Sequence, residues 1–174
     1  MDSPGSALSS IPQDQAPSLE NAKSKLIVGL QENYTLQTRQ NIPQLWQRFA
    51  PHIGKVPGQA GHVAYGVCLN RLPNPWRFDY MAGVEVANGS ALPEGFSQTR
   101  LPESLFAIFA HRQHVSRLPL TLEFIHDKWF PTSGYVPLRP AQDQPYLIER
   151  YGEAFDPMTG MGDIEIWIPV ERKV

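Results

Sequence analysis

Cysteine is nearly absent. Cys68 is the single one among 174 residues, so no internal disulfide can form, and a reducing cytoplasm is the natural setting. A basic excess is missing too. The net charge is -2, so there is no basic excess to bind nucleic acid through its phosphates. No apolar run approaches the roughly 20 residues that cross a bilayer, so no membrane association is expected. The N-terminus has no charged region leading into an apolar core, hence no secretory signal. A Gly-rich phosphate loop and a Gly-x-Ser-x-Gly elbow are both wanting. His111 and His114 have His-x-x-His spacing, but no third ligand completes a metal set. No cofactor or metal is expected.

What remains is an ordinary folded composition, 41% hydrophobic with 17 prolines, which suggests many short elements and turns. Met1 to Ala22 is polar and poor in large apolar residues. It cannot offset its own ordering entropy and reads as a flexible tail ahead of a domain over 23–174.

Within that domain, alternation and turn signals give an ordered series. Lys25 to Leu36 reads as a strand. A helix follows with Asn41 as cap and Pro43 in its first turn, ending near Gly54. Val63 to Leu69 and Trp76 to Val86 read as strands. The series then recurs. Phe96 to Leu101 and Ser104 to Ala110 are strand-like, Leu118 to Trp129 is helical until Pro131-Thr-Ser-Gly-Tyr ends it, and Tyr146 to Val170 forms a hairpin. Half-repeats of about 25–88 and 95–172 make this an α+β fold of two pseudo-twofold-related β-α-β-β units. Antiparallel sheets with helices on one side leave a central cleft between the units, a preferred place for ligands.

The last hairpin carries the candidate chemistry. Ile164, Ile166 and Ile168 share one face of its second strand, and Glu165 and Trp167 share the other. In the first strand Leu147, Glu149 and Tyr151 share a face. A carboxylate between a leucine and a tyrosine is either a rim residue or an anion set into an aromatic cleft. Trp167, opposite the isoleucines, is read as cleft-lining. Tyr151 can hydrogen-bond Glu149. Trp129 suits either wall or core. Tyr65, Trp76 and Met81 would supply the opposite wall. Trp46, Phe49 and Phe124 follow helical spacing and read as packing.

Five segments occur in order: Phe78-Asp-Tyr-Met-Ala-Gly-Val-Glu-Val, Phe106-Ala-Ile-Phe-Ala-His, Trp129-Phe-Pro-Thr-Ser-Gly-Tyr, Ile148-Glu-Arg-Tyr and Glu165-Ile-Trp-Ile-Pro-Val. Together they resemble the GyrI-like small-molecule-binding domain, which is also the effector-binding half of some AraC/XylS-type and MerR-type transcriptional regulators. The resemblance covers about Leu26 to Val170. It implies a stand-alone module that binds cationic, amphipathic aromatic molecules against a buried glutamate. By motif position that residue is Glu149, with Glu165 next. Roles in transcriptional regulation or drug sequestration follow from it. The alternatives it carries are hydrolysis of strained cyclopropane-type toxins by the same glutamate, and inhibition of a topoisomerase by protein contact. A regulator or an enzyme is thus a possible protein partner. The segment before the first strand is too short and polar for a helix-turn-helix, so direct nucleic-acid binding is not expected.

Overall fold

The computed structural model describes residues 16–70, 76–139, 141 and 143–174. Its strands are β1 (Ser18–Ala22), β2 (Lys25–Thr35), β3 (Gln59–Leu69), β4 (Arg77–Val86), β5 (Ser97–Leu101), β6 (Ser104–His111), β7 (Tyr135–Pro137), β8 (Pro145–Tyr151) and β9 (Ile164–Arg172). They lie in the order β1-β6-β9-β8-β3-β4-β2-β5, with β7 added beside β9. Runs of buried residues on β3, β4 and β6 show that the central strands of the sheet are covered on both sides, whereas β1 at its edge stays exposed.

The strand order shows the two repeats directly. One half contributes β2, β3 and β4; the other contributes β6, β8 and β9. They meet at the antiparallel β3–β8 seam, where Gly66 stands opposite Glu149. Each half is flanked by the strand that precedes the other. β1 leads into β2 yet pairs with β6, and β5 leads into β6 yet pairs with β2. A two-residue link cannot span an open sheet, so the sheet curls until its ends approach. The curl encloses an apolar interior that includes Ile27, Val67, Met81, Phe106, Ile108 and Ile148.

The outer face carries the helices. α1 (Ile42–Phe49) covers the first half, with Leu45 and Phe49 fully buried. α2 (Leu118–Phe124) covers the second and passes through a π turn at Ile125–Trp129 into α3 (Phe130–Ser133). Strand β2 shows the division: Ile27 points into the curl and Val28 toward the helices.

Three local expectations change. The expected tail is structured in part. Residues 1–15 lie outside the described residues, but Ser18–Ala22 pairs with β6 from Ser18↔Ile108 to Ala22↔Ser104. The backbone ladder holds this polar strand, and composition carries no sign of it. The second helix does not stop at Trp129 but continues through Pro131. The π turn ahead of it shifts the bonding register, Pro131 sits in the first turn of α3, and Gly134 at φ 77° stops the helix in the left-handed region. Asn41 does occupy the position before α1, but its side chain makes no capping bond. The sequence from Asn70 to Pro75 reads as a turn, and residues 71–75 of it lie outside the described residues.

Candidate functional site

The seam strands β3 and β8 have no helix directly above them. α1 and α2 flank them, and between the helices lies a cavity of about 1850 Å³ with the seam as its floor. Strand alternation decides what the floor presents. On β8, Leu147, Glu149 and Tyr151 face the cavity; on β3, Ala64 and Cys68 do. β4 adds Phe78 and Tyr80, α1 adds Ile42 and Trp46, and α2 adds Leu118 and Leu122.

Glu149 is the centre of a hydrogen-bond chain. The Tyr80 hydroxyl donates to its Oε1 at 2.7 Å, and the Tyr151 hydroxyl donates to the same oxygen at 2.8 Å. Trp46 Nε1 donates to the Tyr80 hydroxyl at 2.9 Å. Three rings therefore surround one carboxylate. Trp46 meets Tyr151 edge-on at 5.4 Å, and Tyr151 in turn contacts Phe155 at 4.9 Å. The approach of Tyr80 depends on Gly66. A Cβ there would overlap the Tyr80 hydroxyl and lie 2.7 Å from Glu149 Oε1.

Glu149 lies deep in the molecule, yet part of its surface opens to the cavity. Burial pushes its carboxyl pKa above the ordinary value, against the pull of the two hydroxyls that would lower it. Burial likewise pushes Tyr80 and Tyr151 well above the usual phenol range, and the facing carboxylate adds to this. Both tyrosines thus stay neutral donors. None of the described ion pairs involves Glu149. The arrangement places a largely desolvated carboxyl group, bonded by two hydroxyls, on the floor of a cavity with apolar and aromatic walls.

Of the eight residues read from sequence as ligand-binding, Glu149 and Tyr151 line this cavity and six do not. Trp167 pairs with Ile148 across β8–β9, so it shares that residue's face and turns into the curl against Phe106 at 5.4 Å. The isoleucines, not the tryptophan, take the cavity side, because Ile166 stands opposite Glu149. Glu165 shares the face of Trp167 and pairs with Arg150 at 3.2 Å. Tyr65 and Met81 are buried in the interior of the curl. Trp129 is core, edge-on to Phe109 at 5.1 Å. Trp76 is 66% exposed just before β4. His111 is buried, bonded to Thr121 and to the His114 carbonyl, whereas His114 lines the cavity's edge. Cys68 is buried as expected and forms part of the floor.

Sequence reasoning missed Tyr80 and Trp46. Phe78 and Tyr80 alternate against Met81, so the pattern held the signal once a face was chosen. Trp46 shares the apolar stripe of α1, and helical spacing could not separate wall from core.

Residues 15–171 match the family profile of the GyrI-like small molecule binding domain. The chain belongs to the GyrI-like family. The GyrI-like chain is 29% identical over 130 residues to the transcriptional regulator BrlR of Pseudomonas aeruginosa. That match covers 74% of this chain and 46% of the regulator, so the chain spans less than half of that relative's length. Two solved structures share the fold. SAV2435, in complex with tetraphenylphosphonium, superposes with a TM-score of 0.68 at 22% identity, covering 89% of this chain and 93% of that one. EcmrR, seen in a DNA complex, superposes with a TM-score of 0.66 at 13% identity, covering 96% of this chain and 61% of that one. This GyrI-like chain is therefore a small-molecule-binding domain related to the effector domains of transcriptional regulators.

Proposed function

We propose that the chain captures cationic, amphipathic aromatic compounds between α1 and α2, with Glu149 as counter-charge, in the service of transcriptional regulation or drug sequestration. The observation that carries this reading is the buried carboxylate itself. It accepts two neutral hydroxyls and borders a large apolar cavity. A bound cation supplies the missing opposite charge. At about 4 Å and an effective dielectric near 20, that contact is worth on the order of 4 kcal/mol before desolvation. Ring faces such as those of Trp46 and Tyr151 add roughly 0.5–2 kcal/mol each. The tetraphenylphosphonium held by SAV2435, a protein of the same fold, is a ligand of this kind.

Neither contribution demands a shaped partner, so several unrelated aromatic cations should bind. The test is a tryptophan-fluorescence titration with tetraphenylphosphonium and two unrelated cationic dyes. All three should quench, and Glu149→Gln should weaken each at least about tenfold, a modest share of the gross contact energy. Unchanged affinity in that variant overturns the proposal. Turnover of a strained-ring substrate, abolished by the same substitution, would replace binding by hydrolysis.

A further inference from the structure

The cavity is larger than one drug-sized ligand needs, since such sites run to roughly 300–1,000 Å³ against about 1850 Å³ here. Its charges are also unevenly placed. The strand registers define two ends. At one end β2 finishes at Thr35 opposite Arg77, and β3 finishes at Leu69 opposite both Asp79 and Pro145. Asn70 follows directly and joins Asp143 through two side-chain bonds. Arg39 lies on the short turn Arg39–Asn41 just beyond β2. Arg139 lies in the link between β7 and β8, one residue after Leu138, whose N–H bonds the Pro169 carbonyl. Both arginines line this end of the cavity.

The carboxylates that line the cavity, among the described residues, are Glu149 and Glu153. Glu149 sits mid-floor, and Glu153 follows β8 at the opposite end. Asp79, near the arginines, is not in the wall; it takes the amides of Gln31, Asn33 and Asn70. Asp143 is likewise held by Asn70. Neither arginine forms an ion pair among the described residues. Asn70 is four residues along the seam from Gly66, the partner of Glu149, which is ~13 Å at about 3.3 Å per residue.

From this we infer that the cavity is bipolar, and that its preferred ligand is an aromatic cation carrying an acidic group on a long arm. The cationic head sits over Glu149 and the acid reaches Arg39 and Arg139. This inference rests on the cation reading of Glu149 and names the ligand class that fills the remaining space. A short arm would hold the acid close to Glu149, where like charges repel.

The probes are triphenylphosphonium compounds bearing an ω-carboxyalkyl chain, each compared with its methyl ester. With a long chain, the acid should bind roughly three- to tenfold tighter than the ester, the range one or two exposed ion pairs supply. With a short chain, the acid should bind more weakly than the ester. Arg39→Gln combined with Arg139→Gln should remove the long-chain advantage. Both side chains are exposed, and a melting curve checks that the variant is folded. Long-chain acid and ester of equal affinity, or an advantage that survives the double substitution, overturns the bipolar reading while leaving the cation site standing. Failure of every ester to bind overturns both.

Discussion

Replacing Gly66 by alanine tests the geometry of the site without touching a charged residue. The position has no positive φ, so alanine meets no backbone penalty, and a strand gains slightly from losing a glycine. The cost is entirely steric. The new methyl would overlap the Tyr80 hydroxyl, and it would lie 2.8 Å from Tyr80 Cζ and 2.7 Å from Glu149 Oε1. Tyr80 is fully buried, so its ring cannot swing away cheaply. Moving its hydroxyl breaks the 2.7 Å bond to Glu149 and the 2.9 Å bond from Trp46. A hydrogen bond to a charged group contributes about 1.5–3 kcal/mol and a neutral one about 0.5–1.5, so the substitution should cost roughly 2–4 kcal/mol. Urea denaturation measures it. Tyr80→Phe removes the same two bonds, so the double variant should be less destabilised than the two single effects added together. A cost below about 0.5 kcal/mol, or strict additivity with Tyr80→Phe, would refute the reasoning.

The raised pKa of Glu149 carries a pH signature. Because the folded state favours the protonated carboxyl, this group's contribution to stability is full below its unfolded value of 4.5 and is lost as pH rises through the higher folded value. Ligand-free Glu149→Gln should therefore melt above the native protein at pH 7.5, and the gap should close below 4.5; thermal unfolding at both pH values checks this. Affinity for a permanent cation should run the other way, rising as pH climbs through the folded pKa, and should be flat in the glutamine variant. The tryptophans should separate cleanly. Trp46→Phe should weaken dye binding and remove most of the quenching, whereas Trp167→Phe should leave dye affinity unchanged because Trp167 packs within the curl.

The order of elements, the internal repetition and the family were legible because each rests on local pattern. Ile148-Glu-Arg-Tyr also led to the central carboxylate. Which face of β9 meets the cavity was not legible. It depends on the register Glu149↔Ile166, and a shift of one residue exchanges Trp167 for its isoleucine neighbours. Naming Met81 without its neighbour Tyr80 misses the cavity face in the same way, by a single position. An exposed-looking tryptophan on an isoleucine-rich strand suggested an aromatic wall, but a sheet that curls on itself buries both its faces. That closure comes from β1 and β5 exchanging halves, a long-range pairing with no local signal. Trp46 shows the complementary limit. A residue lining a roofed hollow and a residue filling a core have the same periodicity, and only the space beyond the ring distinguishes them.

The β3–β8 seam joins two strands of like path and unlike chemistry. Gly66 has no room for a side chain, so the acid of β8 has no counterpart across the seam on β3. A frame with twofold character thus holds an odd charge. A guest with a distinct head and tail then has one favoured way round, so a near-symmetric fold can read the direction of what it binds.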